Sequence, residues 1–310
     1  MVKWIISRVT DLLIALILMT LILAGLLTQP LFLWSKPTAS QLGIERSALE
    51  QDLRALLAIP ASYDAQNRFE GTAQELIKRL SEVGSVEQND RTDGQKVLRL
   101  RVGNPDAQKL YVVLHYVVTE KPILEIAETT LSLIELAKAV SKDEDTTALQ
   151  LNLTIFLHRP EQLEKSLYQV SLSHADQLVQ GKASTDAPIF IFMPGLRLPE
   201  AAYFSEQWRY FSLLMPGGEN DLALYGRLND VFLLRKLKAD LYQAGLSDLA
   251  SMSIPVNFPN TRPAPLKAYW DNRLAAMLVR PNILLHDKNY AGHVRFISAL
   301  HTLVKKGYER

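Results

Sequence analysis

Apolar residues along this chain follow three different rhythms. The first is continuous. Leu12 to Leu27 is apolar but for Thr20, and after Thr28-Gln29-Pro30 the apolar character resumes as Leu31-Phe32-Leu33-Trp34. A helix needs ~20 largely apolar residues to cross a hydrocarbon layer ~30 Å thick, so this stretch is long enough to span. The second rhythm is helical. Glu45 to Ile59 sets Leu49, Leu53, Leu56 and Leu57 on one face and ends at Pro60; Glu70 to Val83 repeats the pattern with Ala73, Leu76, Ile77 and Leu80, stopping at Gly84. Further helices are predicted from about Glu125 to Val140, from about Asp230 to Ala244 (closed by Gly245), and from Gly292 to Lys306, ending at Gly307.

The third rhythm is that of strands. Lys96 to Val102 alternates, with Leu98, Leu100 and Val102 on one face, and Leu149 to Leu157 alternates more strongly. Leu110 to Leu114 is apolar throughout, as expected of a strand covered on both sides. Ile189 to Met193, Leu222 to Tyr225, Met252 to Val256 and Ala276 to Val279 read as further strands, and the Pro-rich piece Phe258 to Pro265 as a long loop. Strands separated by helices of this length predict an α/β fold, a mainly parallel central sheet with helices on both faces. The chain then divides into a short N-terminus (1–10), a transmembrane anchor (11–34), a polar linker containing Pro37 (35–44) and one α/β domain (45–310).

The flanks of the apolar stretch orient it. Lys3 and Arg8 precede it, Lys36 is the only basic residue close behind, and Trp4 and Trp34 stand where interfacial aromatics do. This predicts a single-pass protein with a cytoplasmic N-terminus and the domain outside, on the periplasmic face if the membrane is a bacterial inner membrane. The other reading of the stretch is a cleaved signal peptide. Leu23-Ala24-Gly25 opens like a lipoprotein processing site, but Leu26 follows, so no thiol is present for a lipid.

Composition narrows the chemistry. A formal charge of +1 over 310 residues, with no basic cluster, gives no electrostatic reason to expect nucleic acid. The absence of Cys excludes disulfides, thiolate metal sites and thiol catalysis. Neither a phosphate-binding glycine pattern nor a Gly-x-Ser-x-Gly elbow occurs. The sequon Asn152-Leu153-Thr154 lies within a predicted buried strand, where a glycan has no room.

The order of segments from Leu49 to Lys306 carries a resemblance. Leu56-Leu57-Ala58-Ile59-Pro60, the strand Val112-Val113-Leu114-His115-Tyr116, the helix around Leu133-Ile134-Glu135-Leu136-Ala137-Lys138, the strand Asn152 to Leu157, Phe190 to Gly195, Tyr269-Trp270-Asp271 and Ala275-Ala276-Met277-Leu278 follow one another in the right order. Together they resemble the secreted di-zinc aminopeptidases, the metallopeptidase family of bacterial leucyl aminopeptidase and glutaminyl cyclase. That resemblance implies a three-layer sandwich and a centre of two zinc ions held by imidazoles and carboxylates, with a separate Glu as general base.

Most of that chemistry is missing here. His115 stands where the family keeps its first imidazole, but Val117 replaces the Asp two residues on. The bridging Asp falls at Leu124 or Glu125, and only the second register supplies a carboxylate. The Glu-Glu pair falls within Arg159-Pro160-Glu161, and the next Asp ligand matches Phe192. The final His belongs near Leu285 to His293, where neither His286 nor His293 sits in a family motif. A single family-type ligand, His115, with Glu125 and Glu161 as vestigial carboxylates, is too little for a di-zinc centre.

The resemblance therefore implies a peptidase scaffold without resident zinc or other cofactor, a pseudoenzyme that binds a peptide or protein partner at the membrane surface. His158, Arg159 and Phe192 are the expected cleft contacts, Arg159 offering a bidentate fork for a carboxylate. Two other readings stay open. One is an active metal-dependent hydrolase with a reduced site of His115, Glu125, Glu161 and zinc. The other is a structural spacer or assembly part of a membrane complex.

Overall fold

In the computed structural model the described residues are 2–28, 42–58, 65–90, 95–121, 123–181, 187–195, 222–246, 249–254, 265–281 and 290–307. The continuous apolar stretch begins them as α1 (Val2–Thr28). Its side chains are described over residues 8–22, all of them exposed, and among the described residues no helix is long and apolar enough to cross a membrane. The end of the expected anchor (29–34) and most of the expected linker (35–41) lie outside the described residues.

Two amphipathic helices follow, α2 (Arg46–Ala58) and α3 (Ala65–Ser81). They are tied by Arg79, whose guanidinium donates to Asp52 at 2.9 Å and to Glu75 at 2.8 Å. Then come β1 (Val86–Asp90), β2 (Lys96–Val102) and β3 (Gln108–Val117), α4 (Leu124–Lys142), β4 (Leu149–His158), α5 (Leu163–Gln180) and β5 (Ile189–Phe192). The chain continues as β6 (Leu222–Arg227), α6 (Val231–Gln243), β7 (Leu249–Ile254), α7 (Pro265–Asp271), β8 (Ala276–Arg280) and α8 (Ala291–Lys306). Gly245 and Gly307, at φ 112° and 78°, close α6 and α8 in the left-handed conformation that a Cβ disfavours.

All eight strands join one sheet in the order β1-β2-β4-β3-β5-β8-β6-β7. The middle strands β4, β3, β5 and β8 run parallel, as do β6 and β7. Pairings β1–β2, β2–β4 and β6–β8 are antiparallel, so four parallel pairings share the sheet with three antiparallel ones. The β1–β2 pair joins consecutive strands by a short link and needs no crossover helix.

The alternation divides two cores. On one face Leu110, Val112 and Leu114 of β3 and Leu151, Leu153 and Ile155 of β4 pack with α2, α3, α4, α6 and α8. On the other, Val113, Phe156, Ile189, Ile191 and Leu278 pack with Leu167 and Val170 of α5 and Tyr269 and Trp270 of α7. The result is helix, sheet, helix. Three elements fall outside the sequence pattern. β1 is an almost wholly polar edge strand, α5 breaks its apolar stripe with Ser171 and His174, and α7 has only seven residues. β7 begins three residues before the expected Met252, and residues 255–256 lie outside the described ones, as does most of the Pro-rich loop.

Candidate functional site

Ligands of open α/β sheets bind beyond the carboxyl ends of the parallel strands. Here that edge is formed by the ends of β3, β4 and β5 and the first turns of α4 and α8. In the parallel register of β3 and β4, His115 lies opposite Phe156 and Val117 opposite His158, which sets His115, Phe156 and His158 on the same face. The structure joins the two imidazoles. His115 Nδ1 and His158 Nε2 are 2.9 Å apart, one donating and the other accepting, and the rings stack at 5.1 Å between centroids. Both residues are fully buried. His115 Nε2 has no hydrogen-bond partner among the described residues.

Burial disfavours the charged imidazole, and this governs the chemistry. His115 titrates well below the ordinary range, through desolvation first and then the neighbouring His158 and His174. Desolvation lowers His158 to about 3. His174 of α5 is also lowered to about 3, by desolvation and by the charge of Arg99. Its Nδ1 is 3.0 Å from the Tyr269 hydroxyl, whose own titration burial pushes up. The Phe156 ring stands between the two pairs, 5.3 Å from His115 and 5.6 Å from His174. Burial thus favours the neutral form of each imidazole.

The remaining expected residues are dispersed. Glu125 sits half-buried in the first turn of α4, where a carboxylate is favoured by the helix dipole. Glu161 is exposed in the single turn Pro160–Gln162 that follows β4. Arg159 lays its guanidinium over the Phe69 ring of α3 at 4.5 Å, a cation–π contact that draws it toward α3. Phe192 is fully buried, edge-on to Phe296 of α8 at 6.1 Å, and Val117 is likewise in the core. His158 and Phe192 are thus packed inside rather than lining an open cleft.

A different carboxylate lies deeper. One turn beyond Glu125, Glu128 is buried, and His293 Nε2 stands 3.8 Å from its Oε1; His293 Nδ1 is 3.1 Å from the Ser132 hydroxyl. Glu128 was legible as a carboxylate on the buried stripe of α4, three residues after Glu125. His174 carried no such signal, since α5 itself was not legible.

These donors do not compose a zinc site. Among the described residues no three His, Asp or Glu side chains converge in a way that could hold a metal ion. The His115–His158 pair uses one nitrogen of each ring on the other, and no carboxylate joins it in such a group. Residues 196–221, 255–264 and 282–289, which include His286, lie outside the described ones.

No protein-family model matches the chain, and no curated protein matches it in sequence. Solved structures do match. A leucine aminopeptidase precursor from Bacteroides thetaiotaomicron VPI-5482 is 11% identical, over 88% of this chain and 100% of that one, with a TM-score of 0.52. The Bacteroides thetaiotaomicron glutaminyl cyclase bound to N-acetylhistamine is 10% identical over 87% and 100%, with a TM-score of 0.54. Porphyromonas gingivalis glutaminyl cyclase is 8% identical over 83% and 97%, with a TM-score of 0.52. At such identities the likeness is one of fold alone, and the chain has the α/β fold of bacterial leucine aminopeptidases and glutaminyl cyclases.

Proposed function

We propose that this protein is a membrane-anchored, catalytically inactive aminopeptidase-like domain that binds a peptide or protein partner at the membrane surface. The observation that carries the reading is the state of His115. The one imidazole matching the family's first ligand is sealed in the core and spends its Nδ1 on His158. Val117 and Phe192, at positions where the resemblance calls for carboxylates, belong to the apolar packing. Such an edge keeps its sheet and core without a metal, because its side chains pack on one another.

The anchor rests on α1. Leu12, Leu16, Met19, Leu21 and Ile22 are each more than half exposed, Leu12 at 74%. These exposed apolar side chains suit the apolar layer of a bilayer.

Full-length protein purified in detergent, incubated with zinc and desalted, tests the first half of this reading. No retained zinc is expected in folded protein. Near-stoichiometric zinc that His115→Ala removes would overturn it. Cross-linking in intact membranes tests the second half: a discrete adduct with an envelope protein is expected, and its absence would leave only a spacer role.

One observation favours the metal-dependent hydrolase as a second reading. His115 Nε2 is left without a hydrogen-bond partner among the described residues, and a bound cation would satisfy it. That reading predicts an aminoacyl- or peptide-hydrolysing activity which His115→Ala abolishes.

A further inference from the structure

The second face of β4 changes character along its length. Toward the carboxyl end it carries Phe156 and His158, packed under α5 and α7; toward the amino end it carries Gln150, Asn152 and Thr154. Polar side chains on a central strand need a reason, since burying them is costly unless they meet partners. Here they form the floor of a pocket of about 430 Å3, roofed by Gln177 and Gly181 at the end of α5. This size suits a small-molecule ligand. The pocket opens at the amino ends of β3 and β4, the opposite end of the sheet from His115.

Its walls are cationic. Arg99 and Arg101 alternate along β2 and point to the same face, and Lys109 enters from β3. The registers align them around the floor. Arg101 pairs with Asn152, Arg99 with Thr154, and Lys109 with Gln150 on the far side of β4. Strands ~4.8 Å apart with ~3.3 Å per residue set the backbones of Arg101 and Lys109 about 12 Å apart across β4, a gap that two long side chains close over one ligand. No Asp or Glu is among the lining residues. The carboxylate that meets Arg101 is Glu87 on β1, at 3.1 Å from outside the pocket, both side chains being more than half exposed. Arg99 donates to the Gln177 side chain, fixing its fork against the roof.

We propose that this pocket is an anion site. Its ligand is a small molecule or headgroup bearing phosphate or carboxylate, held by Arg99, Arg101 and Lys109, with Gln150, Asn152 and Thr154 hydrogen-bonding its neutral part. Guanidinium groups favour both oxyanions through parallel N–H···O bonds, and the neutral floor accepts and donates without repelling the charge. Arg99, Arg101 and Lys109 stand apart from the His115 edge, while His174, which lines the pocket from α5, is shared with it.

The test uses the full chain in nanodiscs. In discs of phosphatidylcholine, pyrophosphate and citrate are titrated while the thermal midpoint and calorimetric heat are followed; in a parallel set, phosphatidic acid is added to the discs instead. Saturable binding of either soluble anion assigns the site to a free ligand. Stabilisation only by phosphatidic acid assigns it to a lipid headgroup. In either arm Lys109→Gln and Arg101→Gln, both at exposed positions, each weaken binding by about tenfold, the value of one charge-assisted hydrogen bond. Arg99→Lys keeps the charge, guards against loss of folding, and weakens binding less than Arg99→Gln. Absence of saturable binding in both arms, or binding that the Lys109 and Arg101 variants leave unchanged, overturns the proposal.

Discussion

A histidine at a strand end reads in sequence either as a metal ligand or as a hydrogen-bonded residue at the edge of a core, and His115 is buried and hydrogen-bonded to His158. Its register partner Phe156 and the diagonal His158 close over it, and neither relation is visible until β3 and β4 are paired in parallel. Three buried neutral imidazoles make the fold sensitive to acid. The folded-state values of His158 and His174, about 3, lie below the ordinary 6.5, so between these limits the unfolded chain binds more protons than the folded one. Their contribution is intact above pH 6.5 and is lost as pH falls, by about 1.4 kcal/mol per pH unit for each group. Urea unfolding between pH 7.5 and about 4.5 should therefore show stability declining steeply below 6.5. His174→Phe, which titrates nothing, should flatten that decline. An unchanged slope would show that His174 is not neutral in the core.

The chemistry of the site was only half legible for the same reason. Phe192 stands where the resemblance expects an Asp ligand and Val117 where it expects the Asp that supports the first imidazole, and both departures are legible from residue type alone. The fate of His158, expected to touch a substrate and found inside the core, depends on which face of β4 it occupies. The face follows from alternation with Leu157, which the sequence does provide. What alternation does not provide is that α5 covers that face, because Ser171 and His174 interrupt the stripe by which α5 would have been recognised.

At the scale of elements, apolar rhythm located every central strand and, behind them, α2, α3, α4, α6 and α8, since a buried strand has few alternatives once both its faces are covered. Edges were less legible. β1 pairs along Val86–Asp90 with side-chain ion pairs from Glu87 to Arg101 and from Asp90 to Lys96, and its polar run carries no apolar alternation by which a strand is recognised. Turns carry their own constraint. Gly103 ends β2 at φ 93°, and a Cβ there would come within 2.9 Å of Thr147 Oγ1 and 3.1 Å of the Leu149 carbonyl. Gly103→Ala should cost about 2 kcal/mol or more, from the left-handed backbone and the clash together, read as a fall in the urea midpoint. Gly43, beside which a Cβ meets nothing within 4 Å, is the control, and Gly43→Ala should leave stability nearly unchanged. For α1 the exposed apolar face predicts that the full chain sediments with membranes and resists carbonate extraction. Replacing Leu16 and Met19 by Lys should release it, whereas an anchor that survives both charges would place the attachment elsewhere.

Considered whole, the molecule joins the α/β fold of the aminopeptidase and glutaminyl cyclase structures to an edge packed by its own side chains, and one property tests that packing. In a fold whose ends of β3, β4 and β5 are held by metal ligands, removing the metal leaves buried donors uncompensated, and stability then depends on metal concentration as RT ln(1 + [L]/Kd). Here the same ends are filled by Phe192 against Phe296, by Val117 in the core and by the His115–His158 hydrogen bond. Stability should thus be indifferent to metal: the thermal midpoint of the full chain in excess EDTA should equal that in micromolar zinc. A site of about 10 nM affinity, for which micromolar zinc is a hundredfold excess, would instead add about 2.7 kcal/mol of stability, an easily resolved shift of several degrees in the midpoint. His158→Ala sharpens the distinction. If the pair is structural, this change destabilises the protein equally with and without zinc, because it opens a cavity and strips His115 Nδ1 of its partner. If the pair is a concealed metal site, the loss appears only when zinc is present.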